Sequence, residues 1–294
     1  MSDEHEVPPG QALYPDEDGV LTPHPVGLVD QTNDEYHDGP GISKSHLDAI
    51  ASKSPMHYWH KYINPDREPR ETTAAMNMGT AVHTAILEPD LLGSTIVQAP
   101  EVNKRTNAGK AEFEAFCNAN KDKVIITASE YEAVQQIRDA VHRHPVASSL
   151  LMGGRSEQSV YAIDKETGEL IKCRIDFLHN SGAYTLDVKT TDDSGPNGFG
   201  KSCANYRYPV QTAWYNRVMD TAFGEHPEQW IFLAVEKEPP YAIGIYVADY
   251  IDTARAAIAA QRDFERIIKH RRSGHWPDYG AEPLPLVLPS WAKF

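Results

Sequence analysis

Two aspartates and a lysine, carried on neighbouring stretches of alternating hydrophobicity, give this sequence its clearest chemistry. Over 170–178 (LIKCRIDFL) the alternation sends Ile171, Cys173, Ile175 and Phe177 to one side and Lys172, Arg174 and Asp176 to the other. Over 183–190 (AYTLDVKT) Leu186 and Val188 oppose Asp187 and Lys189. If the two stretches are neighbours in a sheet, Asp176, Asp187 and Lys189 converge. Their carboxylate oxygens suit Mg²⁺, with Mn²⁺ as a substitute on the same ligands, and such an ion polarises a phosphodiester and acidifies bound water. The lysine can orient the attacking water, help to deprotonate it and stabilise charge on the phosphoryl oxygens. An isolated Asp-x-Lys also describes a solvated strand face, so its surroundings must decide.

Three further groups supply those surroundings. Gln211 has Tyr208 and Tyr215 about one helical turn away on either side, a polar stripe that could hold a phosphate or a substrate strand, or simply edge the core. His83, in Met78-Gly79-Thr80-Ala81-Val82-His83, sits one position off an apolar helical stripe and could equally be a boundary residue. Glu157 opens a strand after Gly153-Gly154-Arg155 and acquires a metal role only through geometry.

The remaining elements must position these groups. Ser43 suits the N-cap of a helix carrying Leu47 and Ile50, and Ser54-Pro55 opens a second through Trp59 and Tyr62. Ala75, Met78, Val82 and Ile86 recur at helical spacing over 72–87, ahead of Pro89. Further helices are expected near 108–118 and 129–142. Period two then takes over: 157–163, 170–178 and 183–190 read as three strands, the first two a hairpin across 164–168. A Gly/Ser/Asn loop over 192–202 leads to a helix over about 206–223, strands near 229–236 and 241–248, a long helix near 252–272 and a proline-rich tail.

With 294 residues, 40% of them hydrophobic and 24% charged, the chain can bury a sizeable core, which excludes wholesale disorder. No stretch approaches the roughly 18–20 apolar residues of a membrane span, and the N-terminus resembles no secretory signal, so a cytoplasmic location is expected. Cys117, Cys173 and Cys203 fit neither a disulfide framework nor a paired-cysteine metal site. The net charge of −14 disfavours phosphate binding until its distribution is considered. Residues 1–40 hold ten acids and no lysine or arginine; 41–294 hold 32 acids against 28 bases. Residues 1–40, acidic and rich in Pro and Gly, read as a disordered or loosely docked arm whose removal (1–38) leaves folding intact.

Eight blocks together resemble the exonuclease domain of the RecE family, exodeoxyribonuclease VIII. They are GIS-K-S-x-L near Gly41, MGTAVHTAILEPD at 78–90, NKRTNAGK at 103–110, E-x-S-V-Y at 157–161, CRIDF at 173–177, LDVKTT at 186–191, YRYPVQTAWY at 206–215 and LPSWAK at 288–293. The resemblance spans essentially 41–294 and leaves out 1–40. It implies an α/β (α+β) fold of the PD-(D/E)XK, restriction-endonuclease-like type: a central mixed sheet flanked by helices, mainly helical over 41–150, with the nuclease core over 151–294. The elements read above follow the αβββαβ order of that core.

The resemblance further implies that His83, Asp176 and Asp187 ligate a metal, with the Val188 carbonyl and Glu157 as further ligands, Glu157 directly or through water. It makes Lys189 the catalytic lysine and matches Gln211 and Tyr215 to a Gln-x-x-x-Tyr motif of related exonucleases. The implied activity is Mg²⁺-dependent 5′-to-3′ degradation of linear double-stranded DNA, leaving 3′ tails for recombination. A phage or prophage origin, a ring-shaped homo-oligomer (a tetramer in the family) and a RecT-like annealing partner go with it. Symmetry would multiply a few channel-lining bases, which reconciles the ring with the weak overall charge. Lys104, Arg105, Lys110, Lys201, Arg207 and Tyr208 are candidate DNA contacts, though each cation also reads as a solvated surface charge. Two other readings share the core: a DNA-end-binding module with little turnover, and a structure-selective endonuclease, whose iron–sulfur version the missing cysteine cluster disfavours.

Overall fold

Turn chemistry and strand alternation build the molecule around one mixed sheet. The computed structural model describes residues 10–15, 21–68, 72–280 and 282–288. Strands β1 (Gln11–Pro15) and β2 (Leu21–Pro25) pair with each other and precede β3 (Gly27–Val29) and helix α1 (Asn33–Asp38). A mainly helical stretch follows: α2 (Lys44–Ser52), α3 (Pro55–Tyr62), α4 (Ala74–Leu87), α5 (Leu92–Thr95), α6 (Asn107–Ala119), α7 (Ala128–Arg143) and α8 (Pro145–Leu150). Within it the short strands β4 (Ile96–Gln98) and β5 (Val124–Ile126) pair in parallel. Then come β6 (Gly154–Ile163), β7 (Leu170–His179), β8 (Tyr184–Thr191), α9 (Pro196–Asn205), α10 (Tyr208–Phe223), β9 (Gln229–Glu236), β10 (Ile243–Val247) and α11 (Tyr250–Ser273).

The sheet order is β10-β9-β8-β7-β6-β3, with every neighbouring pair antiparallel except β8 and β9. At the β6–β7 hairpin Gly168 takes the left-handed φ of +78° that closes the turn, its N–H donating to the Asp164 carbonyl. Helices cover both faces, as a mixed sheet with apolar residues on each side requires. Trp214, Phe264 and Ile50, from α10, α11 and α2, pack on Val160, Ile171 and Cys173. Val82 and Ile86 of α4, with Val134 and Ile137 of α7, pack on Leu186, Val188 and Leu233. All three cysteines are free thiols.

Two expectations change. The stretch read as a loop over 192–202 contains α9, which Pro196 opens at a position suited to proline and which the buried Phe199 holds against Tyr208 and Phe232. The described part of 1–40 differs from a disordered or loosely docked arm. β3 extends the sheet along β6, pairing Gly27 with Tyr161 and Val29 with Ser159. Thr32 and Glu35 form a capping box on α1, and Tyr36 is buried. Lys172, 1% exposed, donates to the carbonyls of Tyr36 (2.5 Å) and Gly39 (2.6 Å), and Arg174 donates to that of Gln31 (3.1 Å). The segment has few aliphatics, but its tyrosines supply apolar surface and cations from β7 satisfy its backbone. The terminal LPSWAK block, beyond Leu288, lies outside the described residues.

Candidate active site

The site begins where two strands part. β7 and β8 pair only at Phe177 with Leu186 and Leu178 with Thr185. Beyond this point the Asp176 carboxylate takes over from a backbone acceptor, receiving the Val188 N–H through Oδ2 at 2.8 Å. An ionisable side chain is thereby fixed at the end of a broken ladder, facing β8, whose partner on its other side is the parallel strand β9. The alternation read from the sequence brings Asp176, Asp187 and Lys189 to this fork.

Two more elements converge there. From α4, His83 places Nε2 2.9 Å from the Val188 carbonyl oxygen and turns Nδ1 toward Asp176 Oδ2 (3.5 Å) and Glu157 Oε1 (3.7 Å). A carbonyl accepting from one ring nitrogen orients the imidazole and leaves the other available, the usual arrangement of a metal-binding histidine. The Val188 carbonyl is thus at the site and engaged with His83. From β6, Glu157 reaches in because its backbone leaves the ladder. Register holds at Ser156 with Phe177 and at Gln158 with Ile175, while Glu157 between them has φ +53°. That left-handed conformation is costly for a residue with a Cβ and re-aims the side chain, which Arg174 Nε then clamps at Oε2 (2.8 Å).

His83, Glu157 and Asp176 offer ligand atoms that all lie within 4.8 Å of one another. Asp187 lies beside this group and turns elsewhere, pairing with Lys189 and accepting from Gln211 Nε2 at Oδ1 (2.5 Å). Burial and then the Asp187 charge push the Asp176 pKa up. Burial opposes charge on His83, but Asp176 and then Glu157 outweigh it and raise the imidazole to about 9. Burial also opposes charge on Lys189, whose pKa is nevertheless raised by Asp187 and Asp176. Clustered acids that raise both His83 and Lys189 create a negative potential. Asp187 Oδ2 is buried and makes no hydrogen bond, its one contact being the Lys189 ion pair. One imidazole and three carboxylates suit a hard divalent cation.

Lys189 faces a cleft of about 320 Å³ that Asp176 and Gln211 also line. Its walls include Tyr36 and His37 of the N-terminal segment, Lys44 and Ser45 at the start of α2, and Tyr206. Tyr208, its ring 5.0 Å from Lys189 Nζ, has a pKa pushed up to about 12 by burial, and burial raises Tyr215 further, so both phenols stay protonated donors at neutral pH. Gln211, read as a possible phosphate holder, spends its amide on Asp187. Lys104, Arg105, Lys110 and Lys201 are exposed and do not line the cleft. Arg207, partly exposed, donates to Asp48 (2.9 Å) and pairs with the buried Asp263. Sequence reasoning missed Lys44, Ser45, Tyr36 and His37 as cleft residues and Arg174 as the clamp on Glu157. The block around Gly41 and the shared face of Arg174 and Asp176 carried the signal.

The middle of the chain, together with this geometry, has relatives. Residues 43–283 match a family described as a PDDEXK-like domain of unknown function (DUF3799). The chain belongs to this family. The solved structure of a candidate exonuclease from Eubacterium rectale is similar to this PDDEXK-like protein over 88% of this chain and 97% of that one, at 14% identity and a TM-score of 0.61. At that identity the likeness is one of fold. A phage-related exonuclease from Haemophilus somnus 129PT aligns over 65% of this chain and 94% of its own, at 11% identity and a TM-score of 0.29. No curated protein matches the chain. Among the described residues no helix is long and apolar enough to cross a membrane.

Proposed function

We propose that the chain is a divalent-metal-dependent 5′-to-3′ exonuclease that degrades linear double-stranded DNA and leaves 3′ single-stranded tails for recombination, as its resemblance to the RecE family implies. The observation that carries this reading is the strand fork where His83, Glu157 and Asp176 cluster beside Asp187 and Lys189 in a PDDEXK-like fold. His83, Glu157 and Asp176, with Asp187 and the Val188 carbonyl adjoining, would hold the cation. Bound there, Mg²⁺ or Mn²⁺ would supply Lewis acidity toward the phosphate and an acidic water.

The chain's own groups do the rest. Lys189, at the cleft wall, orients the attacking water and meets the charge gathering on the phosphoryl oxygens. Gln211 holds Asp187, Arg174 holds Glu157, and the Val188 carbonyl holds His83, so the polar groups are set before substrate arrives. Tyr208 and Tyr215 offer neutral O–H donors beside Lys189 and Gln211. The exposed cations Lys104, Arg105, Lys110 and Lys201 are available to track the duplex. A ring-shaped homo-oligomer and a RecT-like annealing partner complete the reading. Exposed apolar residues on α11 and β10, Ile251, Ile258 and Val247, support self-association.

Time-resolved digestion of linear duplexes labelled at the 5′ or 3′ end, with circular duplex alongside, tests it. Mg²⁺-dependent loss from 5′ ends with circles spared is expected, and EDTA should stop it. Cleavage of circles would replace the reading with an endonuclease. Binding of ends with no turnover by folded, metal-loaded protein would replace it with an end-binding module.

A further inference from the structure

Above the catalytic lysine the structure contains a column of aromatic rings that ends in the open. Phe232 of β9 stacks on Tyr208 (centroids 5.6 Å apart, 27° between planes), and Tyr208 stacks on Tyr206 (5.8 Å, 20°). These spacings are those of offset stacking. Phe232 and Tyr208 are buried, whereas Tyr206, the last ring, is 62% exposed and lines the same cleft as Lys189 and Asp176. An apolar ring of this size left half-stacked at the mouth of a polar cleft has room for one more planar group.

The backbone holding that ring is built for rigidity. Tyr206 ends α9, and Arg207 follows at φ +55°, a left-handed conformation that turns the chain sharply into α10. Four charged residues keep the turn in place. Lys44 donates to the Tyr206 carbonyl (2.8 Å) and pairs with Asp48. Arg207 donates to the same Asp48 and pairs with Asp263 of α11. Helices α2 and α11 are therefore tied to the turn between α9 and α10, from which the Tyr206 ring projects into solvent. A ring held by its neighbours loses little freedom on binding, which makes stacking on it more favourable.

We propose that Tyr206 is a stacking subsite for an unpaired nucleobase of the strand being processed, next to the nucleotide at the reactive phosphate. The subsite rests on the nuclease reading above. Every base has a π-face, so it is sequence-tolerant. A paired base is already stacked within its duplex, so the subsite favours a base released from pairing, as at a frayed or single-stranded end. Tyr206 is thus a residue that selects for melted termini, and it leaves bond cleavage to the fork below it.

The test uses the full chain without divalent ions, so that strands bind uncut. The probes are short single strands carrying 2-aminopurine or an abasic residue at the same near-terminal position. Wild type should quench the 2-aminopurine and bind the base-bearing strand roughly tenfold more tightly than the abasic one, the size of one base–aromatic stack. Tyr206→Ala should lose both the quenching and the preference, and Tyr206→Trp should keep both. Tyr206 is exposed, so neither variant threatens the fold. Unchanged quenching and preference in Tyr206→Ala, from protein that still degrades DNA with Mg²⁺, would overturn the subsite and leave the nuclease reading standing. Wild type that neither binds strands nor degrades duplexes would overturn both.

Discussion

Lys172, buried, and Lys189, partly buried at the cleft, lie on adjacent strands of one sheet, and they have opposite fates. Lys172 lies at the end of β7 that faces the N-terminal segment; it contacts backbone carbonyls, with ring faces of Tyr36 and Tyr161 nearby. Burial dominates there, Asp38 opposes it only in part, and the pKa falls to about 8. Lys189 lies at the fork, where Asp187 and Asp176 overcome burial and raise its pKa. The same residue type, desolvated in both places, becomes a fastener in one and a charged group among acids in the other. Counter-charge, and not burial, separates structure from chemistry along this face.

Removing Lys189 sharpens the contrast most. Lys189→Ala should lower the cleavage rate by at least about a thousandfold and leave DNA affinity within a few-fold, because the group acts on the reacting phosphate and not on the duplex. Single-turnover kinetics beside filter binding read this out, and near-normal turnover would remove Lys189 from the mechanism. Asp176→Asn should be comparably inactive.

Next in size is the loss of the N-terminal segment. Deleting residues 1–40 removes β3 from the sheet and strips Lys172 of both acceptors, which should cost about 3 kcal/mol or more and lower the melting temperature by roughly 10 °C. A melting temperature unchanged within a degree would return these residues to the status of a loose arm.

A smaller effect is expected between the two lysines. Arg174 touches both ends, donating to the Gln31 carbonyl and to Glu157. Arg174→Gln should raise the Mg²⁺ concentration for half-maximal cleavage by about tenfold, since groups that orient metal-binding residues typically matter at that level. A lower maximal rate at an unchanged Mg²⁺ requirement would count against its clamp role.

The last effect is a pH dependence. The folded value of Lys172, about 8, lies below its ordinary 10.5, so between those values the unfolded chain holds the extra proton. Stability must therefore rise with pH across that window. Wild type should gain up to about 3 kcal/mol over Lys172→Met between pH 8 and 10.5 in paired urea melts. A flat difference would mean that the lysine is not desolvated.

The contrast also shows what can be read from a sequence. Alternation along 170–178 put Lys172, Arg174 and Asp176 on one face, and the strands, the long helices and the Asp-x-Lys pair all followed from local period and turn signals. The left-handed kink at Glu157 did not, because such a glutamate has no local signature and is held by Arg174 from the next strand. The docking of residues 21–40 was equally hidden. Its partners are the Tyr161 ring of β6 and cations more than 130 residues away, and composition alone reads such a stretch as unfolded. The ion pairs of Arg207 were hidden for the same reason: its partners, Asp48 and Asp263, come from distant helices.

The most direct measurement is calorimetric titration of Mn²⁺ into wild type and Asp176→Asn at neutral pH, with melting curves to show that both are folded. Binding of Mn²⁺ by wild type, with affinity lost by at least tenfold in Asp176→Asn, is the predicted result. Equal binding by the two proteins, or none by wild type, would contradict the assignment of the fork as the metal-holding end of the molecule.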